Sequence, residues 1–200
     1  LRTLGSMNIS VRWLNEYLTP GNITPEAAER VLTDVGFPLE SITPVGSGDE
    51  ADTLLDVEVT SNRGDCLSHV GVAREIAAAS GLRLKLPALL ALNPGPGAAG
   101  KLVALDNRVG ATGQCPLFTM RIIRGVQVGP SPAWLVRALE AVGKRSINNV
   151  VDVTNYVASE FGQPTHVFDL KTIASGPDGR PQVVIRMAAK GETLVLLDGK

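Results

Sequence analysis

The sequence predicts an α+β fold in two successive units, and three observations carry that reading. Leu54–Thr60 alternates, with Leu55, Val57 and Val59 on one face and Asp56 and Glu58 on the other, as a half-buried strand does. Several other segments place apolar residues at three-and-four spacing between a capping residue and a glycine, as amphipathic helices do. Residues 87–100 are rich in Pro, Gly and Ala and read as a linker. The expected organisation is an extension at 1–6, where Gly5-Ser6 before Met7 suggests a cloning remnant, then a small N-terminal α/β unit at 7–86, the linker, and the first part of a mixed α/β domain at 101–200.

In the first unit, Asn8–Leu18 begins extended and continues as a short helix, with Ser10 as cap and Val11, Leu14 and Leu18 on one side. Thr24 caps a second helix from Pro25 to about Val35, which Gly36 closes; Ala27, Val31 and Val35 are expected toward the core. Pro38–Val45 reads as a strand and Gly46–Asp52 as a polar loop. After the alternating strand, Asn62–Asp65 forms a turn, and Asp65 is expected to cap a helix running to about Ser80 before Gly81. Arg63 and Asp65 read as a turn and cap tied by charge in preference to an RNA contact, and His69 as a packing or surface residue in preference to a catalyst. Leu82–Leu86 reads as a short strand or extension.

In the second unit, Lys101–Leu105 and Leu117–Val126 read as strands on either side of Cys115-Pro116. Arg121 and Arg124 read as a solvated strand face in preference to an RNA contact. Ser131 is expected to cap a helix with Pro132 in its first turn and Trp134, Leu135, Ala138, Leu139 and Val142 as its apolar face. A further helix follows, capped by Ser146 and stopped by Gly162, with Ile147, Val150, Val151, Thr154, Val157 and Phe161 on one face. Gln182–Met187 and Thr193–Leu197 read as strands, and Asp198-Gly199 as a hairpin turn whose next strand would follow Lys200.

The bulk composition narrows the function classes. The chain has 200 residues, is 44% hydrophobic and carries a net charge of −1, so no overall basic excess marks a nucleic-acid binder. Any RNA contact must come from a local arrangement of charges or be completed by a partner. Cys66 and Cys115 lack metal-ligand spacing, which fits a reduced intracellular protein, and no run of about 18 apolar residues suggests a membrane span.

The helix after Lys144-Arg145 carries polar equipment at its ends and middle: Arg145 before it, Thr154 and Asn155 within it, His166 beyond it. At 1.5 Å per residue such a helix is roughly 24 Å long, so Arg145 and His166 bracket something elongated. A nucleotide carrying an amino acid fits that description, with a phosphate for the arginine, hydroxyls for Thr154 and Asn155, and an ester within approach of the histidine. The Lys144-Arg145 turn, followed by a helix amino-terminus, is the best local candidate for the phosphate.

These residues also carry a resemblance. Val-Val-Asp-Val-Thr-Asn-Tyr at 150–156 and Gly-Gln-Pro-Thr-His-Val-Phe-Asp at 162–169 closely resemble the B3/B4 editing domain of the β chain of bacterial-type phenylalanyl-tRNA synthetases. Thr60–Glu75 and Met7–Tyr17 resemble earlier parts of the same family's β chain. The resemblance implies a cytoplasmic α2β2 ligase that joins phenylalanine to tRNA(Phe) with ATP and Mg2+ at an α-subunit site, so no cofactor is expected in this chain. It also implies that this region contributes to tRNA binding and to hydrolysis of mischarged Tyr-tRNA(Phe). Its editing pocket maps onto His166 as the catalytic candidate and onto Arg145, Thr154 and Asn155 as ligands of the tRNA end. In the family the phenol hydroxyl of tyrosine is read by a glutamate that would lie beyond Lys200, so the chain alone is expected to be inactive in editing. The family's oligonucleotide-binding insertion has no counterpart at residues 46–52. A free-standing editing hydrolase and a noncatalytic RNA- or protein-binding module are the alternative readings.

Overall fold

The computed structural model describes residues 5–88, 90 and 99–195. It mixes helices and sheets throughout, in an α+β architecture. The first packed unit joins Leu1–Ala91 to Gln127–Val167, and the second joins Leu92–Val126 to Phe168–Lys200. This differs from the expected division, which placed everything from 101 to 200 together. The reason lies in side-chain packing: Val142, Ala138 and Tyr156 belong to the hydrophobic cluster that Ile9, Leu14 and Leu55 build in the first unit.

The first unit contains a three-stranded antiparallel sheet in the order β1 (Ser6–Ser10), β4 (Asp52–Glu58), β3 (Leu39–Val45). Leu55 and Val57 of the central strand are fully buried, as their alternation requires. Ser10 leaves β1 and caps α1 (Val11–Asn15) by accepting the Trp13 N–H, and Thr24 caps α2 (Pro25–Asp34) through the Ala27 N–H. On α2 the expected Ala27 and Val31 pack against the core, beside Ala28 and Leu32, which are fully buried, whereas Val35 is the C-cap, has left the helical row and is exposed. The short strands β2 (Leu18–Thr19) and β5 (Arg83–Leu84) pair antiparallel.

Helix α3 (His69–Ser80) starts later than expected, because Ser68 and not Asp65 caps it, accepting the Gly71 N–H. Asp65 lies in a 3-10 turn and is held by the Arg63 guanidinium, which also reaches Glu75 at 2.7 Å. Gly71 has no room for a side chain, since a Cβ there would lie 2.0 Å from the Asp65 carbonyl oxygen.

Helix α4 (Ala133–Ala141) buries Leu135 and Leu139 and leaves Trp134 half exposed. Its N-cap is Pro132, because the Ser131 hydroxyl is turned elsewhere, donating to Asp152 at 2.5 Å. Helix α5 (Asn149–Phe161) is capped by Asn148, not Ser146, and ends at Gly162, whose φ of 73° continues into the left-handed region that glycine tolerates. The buried stripe of α5 is also not the apolar one. Asp152, Ser159 and Glu160 are buried while Ile147 is 65% exposed and Phe161 44%. The surface this helix meets is aromatic and polar, so hydrogen-bonding residues rather than valines turn inward.

Three contacts fix α5 in that orientation. His69 is fully buried and stacked on Trp13 at 4.0 Å; its Nε2 accepts the Ser10 N–H, so its Nδ1 carries the proton that binds the Ser159 carbonyl at 2.9 Å. Tyr17 accepts from the Trp13 indole and donates to Glu160. Asp152 accepts from the hydroxyls of Ser131 and Ser146 and, at 2.9 Å, from the Ile147 N–H, so it fastens the start of α4 and the loop before α5 to one carboxylate.

In the second unit β6 (Ala104–Asn107) runs parallel to β7 (Gln182–Ile185), with Leu105 opposite Val183. Leu117–Val126 was expected as a strand, yet among the described residues it pairs with no neighbour, and Leu117 and Ile123 are exposed. Alternation supplies a tendency to extend, but a ladder also needs a partner for its N–H and C=O groups. Residues 193–195 form no strand either. Leu1–Leu4, residues 91–98 of the linker, and Asp198-Gly199 of the expected hairpin lie outside the described residues.

Burial pushes the His69 imidazole down to about 4 from an ordinary 6.5, against the smaller upward pull of the Ser159 carbonyl. Since unfolding frees the ring to bind a proton, the stability it contributes is full above pH 6.5 and is lost as the pH falls toward 4. We therefore expect urea midpoints to drop across that window, with the NMR signals of His69 keeping the neutral form until the protein unfolds. Burial also raises the Asp152 carboxyl, but its hydrogen bonds from Ser131, Ser146 and the backbone outweigh burial and hold it below the usual range. Asp152→Ala is expected to cost about 1–3 kcal/mol by chemical denaturation, because it strands buried donors. A change within about 0.5 kcal/mol would show that the carboxylate does not fasten the loop.

Candidate functional site

The expected site is built along α5 and the two segments that flank it. Gly143, with φ of 75°, ends α4, and the Lys144 N–H closes back on the Leu139 carbonyl at 2.9 Å. The two basic residues that follow part company here. Lys144 is half-buried, and burial holds its ammonium below the usual lysine range, whereas Arg145 is exposed. Of the pair, Arg145 is the cation presented to solvent.

The amino-terminus of α5 differs from the expected phosphate cradle. Asn148 Oδ1 accepts the N–H groups of Val150 and Val151, and Asp152 takes that of Ile147. The donors an anion would use are already bonded, and a carboxylate already occupies the positive end of the helix. An anion at this loop therefore depends on Arg145 itself. Ordinary sequence signals exist for this arrangement, since Asn148 is a favoured cap residue and Asp152 an acid in the first turn, but Ser146 competed with Asn148 for the same role.

Thr154 and Asn155 lie together, half-buried, at the middle of the helix. The Thr154 hydroxyl donates to the Val151 carbonyl at 2.6 Å, which leaves its oxygen as an acceptor for an outside donor. Beyond Gly162 the chain has no regular secondary structure up to Asp169, and His166 is exposed on it. Arg145 and His166 thus flank a helix of 13 residues, about 20 Å at 1.5 Å per residue. Thr154 and Asn155 are neighbours, while Arg145 and His166 stand at its opposite ends.

A cleft in this unit is lined by residues of α1, β4, α4 and α5, among them Trp13, Trp134 and Tyr156, and none of the four expected residues belongs to its wall. Sequence reasoning gave no role to Asp152 or Glu160, and read Tyr17 only as broadening the apolar surface of α1. Each is a polar residue whose partner is distant in the chain, as for Glu160 with Tyr17, 143 residues away.

Among the described residues, one grouping has metal-ligand atoms close together: Asp65, Cys66 and Glu75, within 4.8 Å of one another. It does not suit magnesium. The Arg63 guanidinium already pairs with both carboxylates, at 2.9 and 2.7 Å, and the third group is a thiol, which a hard cation disfavours.

A family model described as the B3/4 domain matches residues 114–200, the span that contains all four expected residues. The phenylalanine–tRNA ligase beta subunit of Anaeromyxobacter dehalogenans is 48% identical over 159 residues, covering 79% of this chain and 19% of that protein. That of Rhodopirellula baltica is 41% identical over 196 residues, covering 96% of the chain and 26% of the relative. That of Gloeobacter violaceus is 45% identical over 179 residues, with 89% and 20% covered. The chain therefore spans between about a fifth and a quarter of these relatives, and the shared names favour a ligase beta subunit over a free-standing hydrolase. Identity sustained over nearly the whole chain, together with the B3/4 match on the stretch that holds α4 and α5, shows that this chain matches a fragment of the phenylalanine–tRNA ligase beta subunits.

Proposed function

We propose that this region serves an intact phenylalanine–tRNA ligase by binding the acylated end of tRNA(Phe) and assisting hydrolysis of tyrosine wrongly attached to it. The observation that carries the reading is the B3/4 match across residues 114–200, which includes Arg145, Thr154, Asn155 and His166. Its physical support is the exposure of Arg145 and His166 at the two ends of α5. Arg145 pairs with a phosphate of the tRNA terminus, a charge-assisted contact that a planar guanidinium makes with two parallel hydrogen bonds. Thr154 accepts from, and Asn155 donates to or accepts from, the polar atoms of the ribose or the amino acid. His166 orients the water, or the ester oxygen on which charge develops as water attacks the carbonyl carbon.

In this proposal the ligation chemistry resides in an α subunit within an α2β2 assembly, where ATP and Mg2+ supply the activated phenylalanine. The proposed location is the cytoplasm. No described helix is long and apolar enough to cross a membrane.

In the intact ligase, His166→Ala is expected to slow Tyr-tRNA(Phe) deacylation by about 10²-fold while leaving phenylalanine activation unchanged. Unaltered deacylation kinetics with an intact fold would remove His166 from the chemistry. The isolated chain is expected to hydrolyse Tyr-tRNA(Phe) little or not at all, because the group that reads the phenol hydroxyl lies elsewhere in the family's β chain. Full turnover by residues 1–200 would overturn that division of labour.

A further inference from the structure

The cleft of about 370 Å³ in the first unit is separate from the residues assigned to editing, and its wall has an unusual balance. Trp134 meets Tyr156 edge to face at 5.4 Å, and Tyr156 stacks on Trp13 at 4.5 Å, so an aromatic corner forms where α4 and α5 meet α1. Trp134 is 54% exposed, which leaves much of the corner open to a guest.

The charged groups around it are unequal in number and in commitment. Four carboxylates, from Glu16, Glu50, Asp52 and Glu140, face two guanidinium groups, from Arg12 and Arg137. Arg12 donates to the Asp49 carbonyl, Arg137 pairs with Glu50 at 3.5 Å, and Asp52 accepts from Ser10 and from the N–H groups of Arg12 and Thr53. That leaves the carboxylates of Glu16 and Glu140 without a hydrogen-bond or ion-pair partner among the described residues. Behind the corner, Glu160 is buried with Tyr17 as its donor. Burial, and then the charge of Glu16, push the Glu160 carboxyl above its ordinary range; burial and the charges of Glu160 and Glu16 push Tyr156 up to about 12. With four carboxylates to two guanidinium groups the wall of the cleft carries an excess of negative charge, and an aromatic face adds to it through its quadrupole.

We propose that this cleft binds an organic cation, a guanidinium by preference, stacked in the Trp134–Tyr156 corner and paired with Glu16 and Glu140. A guanidinium suits the place better than an ammonium because it is flat, weakly hydrated and able to bond a carboxylate through two N–H groups while lying on a ring. The guest is either a free small cation or the arginine side chain of a polypeptide, and the chemistry of recognition is common to both.

The chain has two tryptophans, so its indole N–H region gives two NMR signals. The Trp13 indole is bonded to Tyr17 and buried, which leaves the Trp134 signal as the reporter. Titration with N-acetylargininamide is expected to shift the Trp134 signal saturably, with a dissociation constant in the millimolar range, as a cation–aromatic contact and two exposed ion pairs allow. The uncharged isostere N-acetylcitrullinamide should bind about tenfold more weakly or not at all, and Glu16→Gln with Glu140→Gln should weaken the arginine probe about three- to tenfold. Neither glutamate side chain has a hydrogen-bond or ion-pair partner among the described residues, so the double variant should retain the native spectrum elsewhere. A tripeptide with arginine at its centre separates the sources: tighter binding than the single residue assigns the site to a polypeptide, and equal binding to a free cation. Equal shifts from the citrulline probe, an equal response to inorganic phosphate, no saturable shift, or an unchanged affinity in the double variant would each overturn the proposal.

Discussion

A helix that buries an aspartate, a serine and a glutamate stays in place only if each finds a partner, and this requirement governs how α5 and everything attached to it are held. Leaving one such group unbonded in a protein interior costs about 1–3 kcal/mol, a large fraction of the stability of a domain of this size. Each is satisfied: Asp152 by Ser131 and Ser146 across a loop, Glu160 by Tyr17 far away in sequence, and the Ser159 hydroxyl by the Asn155 carbonyl within the helix, while the Ser159 carbonyl is bound by His69. The apolar cluster supplies the bulk of the attraction, and Val142 and Tyr156 join it. Direction, however, comes from the hydrogen bonds, which admit one rotation of the helix.

His69 shows how a neutral state enters the architecture. Its ring must accept on one nitrogen and donate on the other, because the Ser10 N–H faces Nε2 and the Ser159 carbonyl faces Nδ1. A second proton would set two donors against each other at Ser10. The tautomer is thereby fixed by the backbone on both sides, and the histidine serves as a joint between the β1–α1 corner and α5 rather than as an acid or base.

Much of the first unit was legible in the sequence because its signals are local. Ser10 and Thr24 each cap the helix expected of them, Gly81 and Gly162 stop theirs, and Leu55, Val57 and Val59 face the core. The misplaced caps at Asp65, Ser131 and Ser146 share a cause. In each case another side chain drew the expected residue away, Ser131 and Ser146 to Asp152 and Asp65 to Arg63; Ser68 and Asn148 then cap in place of Asp65 and Ser146, whereas Pro132 at the start of α4 offers no capping side chain. The buried face of α5 was missed because periodicity counts apolar residues, whereas this interface is built from Tyr156, Ser159 and Glu160 against Trp13, His69 and Tyr17. Of the candidate site, the positions of Arg145 and His166 beyond the two ends of α5 followed from the chain's punctuation. The commitment of the Thr154 hydroxyl to the helix backbone did not.

The electrostatics of the loop before α5 follow from the same accounting. A free helix amino-terminus carries roughly half a positive charge and would attract a phosphate without further help. Here Asn148 and Asp152 consume the N–H groups and the positive end together, because the loop between α4 and α5 has to be held in place before it can present anything. Lys144 is drawn partly inward, with burial lowering its ammonium's proton affinity. What remains for an anion at this loop is the exposed guanidinium of Arg145. Its contact with a phosphate would weaken with salt, as an exposed ion pair must, and would place the nucleic acid without reading its sequence. A loop that used its helix dipole for the ligand would bind more tightly and be less firmly built. In this chain the carboxylate of Asp152 settles that competition in favour of structure.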